Sequence, residues 1–405
     1  MFTLALSGVV SASSVAASRL PRTQAAHVRN IRGGGAPLAK DATATTPPVT
    51  PATAALVESP RLVTPPLDTR QYRHLTDGVT GLQILLISDP KAEKAAAALE
   101  VNVGHFSDPE NVPGLAHFTE HMMFLGTRSH PDEDAFKAYV ARHGGATNAF
   151  TGMEATGFHF SIASAQLAPA LERFGTFFSE PLLREESGAR EVRAVHSEFQ
   201  RNLQSDQRRL FQLLKSTSRA SHPFSKFSTG SFDTLDPHQS KVRSFYEEHY
   251  TADRISICVL GREPLDELQQ LAEKAFGALP TRGSVSSAAE DRGGAAAPLH
   301  HGPLSLEQKG GLLRAQPVRE SRLLRFLWEV GPEEEHAESK GPSLIGGLLS
   351  SEREGGLSWL LTKHFSPPLA TSVSAGLAYS MSDESLFAVS LTLTREGAAQ
   401  VARVA

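Results

Sequence analysis

The sequence predicts an α+β fold, with mostly antiparallel strands packed against helices in two domains. Three observations support this prediction. A chain of 405 residues is too long for one ordinary core, so at least two cores are expected. An apolar fraction of 40% and a charged fraction of 21% are typical of globular proteins. Strand and helix patterns follow one another without strict alternation, which favours an α+β sandwich over a doubly wound parallel sheet.

Composition excludes several classes of function. The formal net charge of −4 at pH 7 provides no basic field for nucleic acid or an anionic membrane. No stretch approaches the roughly 20 continuous apolar residues of a membrane-spanning helix. A single cysteine, Cys258, rules out an intramolecular disulfide framework and a multi-cysteine metal site. A bound metal would therefore take its ligands from His, Asp or Glu.

Residues 1–66 differ in composition from the rest of the chain. An apolar start of small residues is followed by a series of Arg residues, and no acidic residue precedes Asp41. This leader resembles an organelle transit peptide, for a mitochondrion or a plastid. A signal peptide for the secretory route, or a disordered extension of a cytosolic protein, is the alternative. The Pro/Thr/Ala-rich stretch that ends the leader predicts a disordered linker.

Residues 67–280 are predicted to form the first domain. Apolar alternation predicts a hairpin near Asp77, a strand over 99–103 and one or two strands in TNAFTGMEATGFHFSIA. Helical spacing predicts helices over 115–125 and 132–143, each followed by glycine. An amphipathic helix, a long charged helical stretch (EESGAREVRAVHSEFQRNLQSDQRRLFQLLKST), the strand RISICVLG and a helix in PLDELQQLAEKAFGAL complete the domain.

The Gly/Ala/Ser-rich residues 281–303 predict a linker to a second domain, residues 304–405. In that domain the strand RLLRFLWEV, a helix over 342–363 and two further strands partly repeat the order of the first domain. The chain stops at Ala405 within a helical pattern. We therefore expect this domain to be truncated and to belong to a larger architecture.

The five residues HFTEH, 117–121, lie inside the helix predicted over 115–125. Side chains at i and i+4 share one face of a helix, so His117 and His121 can present two imidazole nitrogens to one ion. Glu120 projects close to the same face and can accept a proton from a metal-bound water without being a ligand. Zinc suits imidazole and carboxylate ligands in a hydrolytic site. Two ordinary histidines on a helix are the alternative interpretation.

A catalytic zinc needs a third protein ligand, normally distant in sequence. The segment REVRAVHSEFQRN carries Glu191 and Glu198, which lie two helical turns apart on one face. A solvated helix surface is the alternative interpretation of these two acids. His196 competes as a ligand by residue type, but helical periodicity turns it away from Glu198.

The run GLAHFTEHMMFLGT closely resembles the metal-site helix of the insulinase (pitrilysin-type) zinc metallopeptidases, whose H-x-x-E-H motif is inverted relative to H-E-x-x-H. The resemblance implies two insulinase-type α/β sandwich domains and one zinc ion per chain. It implies His117, His121 and Glu198 as ligands and Glu120 as general base, and the spacing to Glu198 matches the family. It also implies that Glu191 forms a hydrogen bond with a ligand histidine.

Two further stretches agree with this family. GGATNAFTG resembles its active-site edge strand, which implies that Asn148 and Ala149 hold the backbone of an extended peptide and that Phe150 lines a side-chain pocket. A strand with a core phenylalanine is the alternative interpretation of this stretch taken alone. HPFSKFSTGSFDTL, residues 222–235, closely resembles the insulysin branch of the family.

Insulysin-type enzymes are much longer than this chain, and the resemblance covers only their N-terminal half. The first hypothesis is an active zinc metalloendopeptidase that hydrolyses unfolded or short peptides. The second is a zinc-binding half that is inactive alone or depends on a partner, either a second peptidase half or a homo-oligomer. The third is a non-catalytic peptide-binding protein of the same fold. The complete ligand set together with Glu120 favours an enzyme over the third hypothesis.

Overall fold

The computed structural model describes residues 56–58, 62–236, 240–282 and 302–404. Most of the predicted leader and most of the predicted linker lie outside these described residues. Within them, strands and helices mix in an α+β architecture, as predicted. No described helix has both the length and the apolar character needed to span a membrane.

The described strands form two sheets. Their bounds are β1 Leu56–Glu58, β2 Gln71–Asp77, β3 Gln83–Ser88, β4 Lys94–Val101, β5 Ala146–Thr151, β6 Thr156–Ala163, β7 Ile255–Gly261, β8 Leu323–Val330, β9 Ala370–Ser380 and β10 Ser385–Leu393. We call the seven-stranded sheet β1–β7 with its helices the first unit, and the three-stranded sheet β8–β10 with its helices the second unit.

The helices of the first unit are α1 Leu115–Met123, α2 Ala135–Arg142, α3 Leu167–Ser179, α4 Glu185–Asn202, α5 Asp206–Thr217, α6 Phe232–Leu235, α7 Lys241–His249 and α8 Leu265–Phe276. Those of the second unit are α9 Gly341–Leu349, α10 Leu357–Trp359, α11 Arg395–Ala399 and α12 Val401–Val404, with a π-helical turn at Leu360–His364.

The strand order of the first unit is β1-β2-β3-β7-β4-β6-β5. Only the β3–β7 pair is parallel, and every other neighbouring pair in this described sheet is antiparallel. The mixed, mostly antiparallel sheet is therefore as predicted. Strand β3 is buried along nearly its whole length because it lies inside the sheet, whereas β5 alternates exposed and half-buried residues because it forms an edge. That edge runs beside α1.

The core of the first unit lies between the sheet and its helices and is rich in phenylalanine. Phe118 on α1, Phe158 and Phe160 on β6, and Phe174 and Phe178 on α3 are all 1% exposed or less. Burial of each such ring stabilises the folded state by about 1.5–3 kcal/mol. The rings also meet edge to face, as in the Phe158–Phe178 pair with ring centroids 5.0 Å apart. This core fixes α1 against the sheet.

The second unit is a smaller antiparallel sheet in the order β8-β10-β9. Helix α9 packs closely on β9 through Gly346, where a Cβ atom would lie 2.6 Å from the carbonyl oxygen of Ala375. The helix predicted over 342–363 is interrupted between α9 and α10, because Gly355 adopts a φ of 91° that a continuous right-handed helix does not allow. That prediction was wrong for the middle of the segment.

Two further details differ from the sequence predictions. The long charged helical stretch is two helices, α4 and α5, because Ser205 has an extended backbone and its side chain accepts a hydrogen bond from the Arg208 amide at 3.5 Å, which caps the second helix. Strand β1 lies inside the segment predicted as leader and linker. It pairs with the edge of β2, and Leu56 packs against the main core. The division into domains 67–280 and 304–405 stays a prediction.

Candidate metal centre

Helix α1 is fixed at its start by a buried carboxylate. Asp108, which is 1% exposed, accepts hydrogen bonds from the amides of Gly114 and Ala116, each at 2.7 Å. Burial raises the pKa of Asp108 to about 7, although these two hydrogen bonds oppose the rise. Gly114 has a φ of 95° and approaches Gly230 so closely that a Cβ atom would lie 2.3 Å from the Gly230 Cα. The first turn of α1 therefore has little freedom to move.

The two histidines of α1 face the side chain of Glu198 on α4. The Nε2 atoms of His117 and His121 are 3.3 Å apart. The Oε2 atom of Glu198 is 3.8 Å from each of them. All three residues are half-buried, and their ligand-type atoms lie within 4.8 Å of one another. Among the described residues this is the group of His, Cys, Asp and Glu side chains that fits a metal ion.

Hydrogen bonds on the far side of each imidazole define which nitrogen faces the centre. The Nδ1 atom of His117 donates to the carbonyl oxygen of Thr229 at 2.7 Å. The Nδ1 atom of His121 donates to Oε1 of Glu191 at 2.7 Å. Because Nδ1 carries the proton in both neutral rings, both Nε2 atoms present lone pairs to the same point. Two lone pairs 3.3 Å apart repel each other unless a cation lies between them.

This donor set fits a zinc ion. Two ligand atoms that each lie about 2.0–2.1 Å from a tetrahedral zinc are separated by roughly 3.3–3.4 Å. The spacing of the histidine pair matches that value. Burial alone would lower the pKa of His121, but its hydrogen bond with Glu191 and the nearby carboxylates of Glu120 and Glu198 outweigh burial and raise it. The centre therefore attracts positive charge.

Glu120 points from α1 towards the end of β5. It is 8% exposed, and its Oε2 accepts a hydrogen bond from the Thr151 hydroxyl at 2.7 Å. Burial raises the pKa of Glu120, while the Thr151 hydrogen bond and the histidines His117 and His121 oppose the rise. A carboxylate with a raised pKa binds a proton more readily near neutral pH.

The predicted peptide-binding residues lie on the free edge of the sheet. Asn148 is exposed and Ala149 half-buried on β5, which among the described strands pairs with β6 alone. Phe150 is 44% exposed, and its ring covers Gly157, where a Cβ atom would lie 2.4 Å from the ring. Phe150 is therefore not a core residue, in contrast to the alternative interpretation of this strand.

Sequence reasoning missed three groups that hold the centre: the Thr229 carbonyl, the Thr151 hydroxyl and the Asp108 carboxylate. Thr229 lies in a segment noted only for its resemblance to the insulysin branch. His196 lies away from the cluster, as helical periodicity predicted, and its Nδ1 accepts a hydrogen bond from the Phe232 amide at 3.1 Å.

An α+β unit with this histidine pair, a glutamate on a second helix and a free sheet edge has the architecture of the metallopeptidases with an inverted H-x-x-E-H motif. The family model described as Insulinase (Peptidase family M16) matches residues 83–227. A second model, described as Peptidase M16 inactive domain, matches residues 239–405. The chain belongs to this family, the insulinase family of peptidases.

Several curated relatives align with most of the chain. Insulin-degrading enzyme-like 1, peroxisomal, of Arabidopsis thaliana is 38% identical over 345 residues, 83% of this chain and 34% of the relative. Insulin-degrading enzyme of Homo sapiens is 36% identical over 341 residues, 82% of this chain and 32% of the relative. The chain thus spans about a third of the length of these relatives.

Solved structures share the fold. The crystal structure of pitrilysin superposes with a TM-score of 0.74 at 28% identity, covering 87% of this chain and 37% of that one. A protease from Helicobacter pylori superposes with a TM-score of 0.68 at 19% identity, covering 83% of this chain and 78% of that one. The second likeness is one of fold alone.

Proposed function

We propose that this chain acts as a zinc metalloendopeptidase on unfolded or short peptides. The observation that carries the proposal is the pair of Nε2 lone pairs facing Glu198, with Glu120 beside them. His117, His121 and Glu198 would hold the zinc ion. Glu191 would orient His121 through the hydrogen bond to its Nδ1.

When bound, zinc supplies positive charge that polarises a peptide carbonyl and lowers the pKa of a water molecule towards about 7. Glu120 acts as the general base. Thr151 holds its Oε2, so Oε1 is the oxygen that takes a proton from the attacking water. The same carboxyl group then gives this proton to the amine that leaves. The buried position of Glu120 favours both steps because it keeps the proton affinity of the carboxylate high.

The substrate would bind as an added strand along β5. Asn148 and Ala149 would hold its backbone, since an edge strand offers free amides and carbonyls. Phe150 would line a pocket for one of its side chains. Binding by strand addition requires an extended segment, so unfolded or short peptides fit this edge better than folded proteins do.

The second candidate is a zinc-binding half that needs a second peptidase half, or a further copy of this chain, for turnover. The observation that favours it is that the curated relatives are about three times the length of the aligned region. We further propose an organelle location from the composition of the leader; one relative carries the description peroxisomal. Fusion of residues 1–66 to a fluorescent protein tests that location.

The test of the proposed function pairs metal analysis with cleavage of a quenched fluorescent peptide, for the wild type and Glu120→Gln. We expect one zinc per chain in both proteins, and cleavage in the wild type only. Glu186→Gln is the matched control, because Glu186 is exposed in the first turn of α4.

Each result of this test has a separate meaning. Absence of zinc from the wild type would remove the ligand assignment. Equal cleavage by the wild type and Glu120→Gln would remove Glu120 from the mechanism. Zinc binding without any cleavage would select the partner-dependent half, and addition of a second peptidase half would then be the next measurement.

A further inference from the structure

The tip of the β9–β10 hairpin, residues 381–384, contacts the turn that follows the edge strand β5. The backbone amide of Ser382 donates to Oε2 of Glu154 at 2.8 Å. The hydroxyl of the same serine donates to Oε1 of the same carboxylate. Two hydrogen bonds from one residue to one carboxylate are directional and charge-assisted, so they fix the turn relative to the tip.

Other contacts between the two units surround this pair. Met153, in the same turn, packs against an apolar cluster that contains Met381 of the tip. His222, which is 1% exposed, accepts a hydrogen bond at Nδ1 from the Phe224 amide at 3.0 Å. Its proton is therefore on Nε2, which donates to Oδ2 of Asp383 at 3.1 Å. Three successive residues of the tip thus contact the first unit.

Residues 104–106 of the first unit also hold this turn. Its Gly152 carbonyl accepts from both the amide and Nδ1 of His105, at 3.1 and 2.8 Å. The amide of Phe106 donates to the Met153 carbonyl at 2.8 Å. Gly104 lies so close that a Cβ atom there would be 2.5 Å from the Met153 carbonyl carbon. Residues 104–106 therefore hold the turn on one side, and Ser382 holds it on the other through Glu154.

The residue that ends β5 just before this turn is Thr151, whose hydroxyl holds Glu120 at 2.7 Å. A continuous path of contacts runs from Ser382 through Glu154 and the turn to Thr151 and Glu120. We propose that the hairpin tip of the second unit is a positioning element for the general base, with Ser382 and Glu154 as its positioning residues. The inference rests on the proposed function of Glu120.

The test measures steady-state peptide cleavage by full-length Ser382→Ala, Ser382→Thr and Glu154→Ala. We expect kcat to fall by about 3- to 10-fold in Ser382→Ala and Glu154→Ala, because small errors in the position of a general base are costly. Zinc content should stay at one per chain. Ser382→Thr keeps the hydroxyl and should recover most of the lost kcat. The double variant should lose no more than Glu154→Ala, because Glu154→Ala removes both hydrogen bonds whereas Ser382→Ala removes only the one from the hydroxyl.

Ser380→Ala is the matched control, because Ser380 is exposed at the end of β9 in the same hairpin. It should keep the kcat of the wild type. Amide hydrogen exchange over residues 150–156 gives a second readout, and we expect it to be about tenfold faster in Ser382→Ala than in Ser380→Ala.

Three outcomes would overturn the inference. Unchanged kcat together with unchanged exchange in both Ser382→Ala and Glu154→Ala would show that the contact does not hold the turn. Faster exchange with unchanged kcat would show that the contact joins the units without positioning Glu120. A wild type that binds zinc and cleaves no peptide would refute the proposed activity of the chain, and this inference with it. This outcome is distinguishable from the first two because it is seen in the wild type and not only in the variants.

Discussion

The two units of the molecule differ in what they bury. Among the described residues, every buried Asp, Glu, His and Lys side chain lies in the first unit: Asp77, His105, Asp108, Glu120, Lys215, His222 and His249. The buried polar side chains of the described second unit are the hydroxyls of Ser358 and Ser385. A buried charge costs several kcal/mol unless it is paired or hydrogen-bonded. The first unit carries that cost, in part at its candidate site through Asp108 and Glu120, and the described residues of the second unit bury no ionisable side chain.

Helices α1 and α9, which each have nine residues, show the same difference between the two units. Helix α1 presents a histidine pair and a glutamate to one side and buries its apolar side chains on the other. The sequence of α9, GPSLIGGLL, has no ionisable side chain. It leaves Leu344, Ile345 and Leu348 at 63%, 54% and 72% exposure. The difference between a site and a scaffold therefore lies in the side chains and not in the order of the elements.

The largest effect that tests this comparison is expected on metal binding. His117→Ala removes a ligand, and we expect it to weaken zinc binding by more than about 100-fold, beyond the range seen when only a hydrogen-bonding partner of a ligand is lost. His364→Ala removes a histidine of the second unit whose ring lies beside Trp359, with centroids 5.0 Å apart. It should leave zinc affinity unchanged. Competition with a chromophoric chelator measures both, and equal losses would place the metal elsewhere.

The buried lysine of α5 gives the next largest effect. Lys215 is fully buried, and its Nζ donates to Nε2 of His105 at 3.3 Å. Burial lowers the pKa of Lys215 to about 7, although Asp108 opposes the fall. An unfolded lysine titrates near 10.5. Between these values the unfolded chain binds more protons than the folded one, so this residue makes the free energy of unfolding rise with pH.

Lys215 can make the free energy of unfolding rise by at most about 1.4 kcal/mol per pH unit. Lys215→Met has no titrating group at this position, so its stability relative to the wild type should decrease as the pH rises from 7.5 to 9. Denaturant unfolding of both proteins at each pH measures the difference. Groups whose pKa values do not depend on Lys215 cancel between the two proteins. The charge of Lys215 lowers the pKa of Asp108, so its loss raises that pKa and changes the difference in the same direction. A constant difference between the two proteins would show that Lys215 keeps its ordinary pKa.

Much of the centre was predictable because it depends on short-range helical geometry. The spacing of His117 and His121 on one helix places both rings on one face, whatever the rest of the fold. The resemblance to the insulinase family supplied Glu198 and Glu191, which helical geometry alone left as a solvated surface. The structure brings His117, His121 and Glu198 together, and it places Glu191 in contact with His121.

The rest depends on contacts that leave no local pattern in a sequence. The Thr229 carbonyl that orients His117 is a backbone atom, which any residue could supply. Glu154 and Ser382 are 228 residues apart, and neither residue type indicates a partner. The break between α4 and α5 depends on one capping serine within a stretch whose composition favours helix throughout. Tertiary contacts and helix caps therefore determine these details of the structure, which the periodicity of the sequence does not predict.

The smallest expected effect is on the stability contributed by α9. Leu348→Ala changes a side chain that is 72% exposed, so the free energy of unfolding should change by less than about 0.5 kcal/mol. The same substitution at Leu115 of α1, which is 1% exposed, should cost about 2–5 kcal/mol because it leaves a cavity in the core. Urea unfolding of both variants measures the pair. A large loss for Leu348→Ala would mean that the apolar face of α9 is covered in solution, and gel filtration of the same sample would show whether a second copy of the chain covers it.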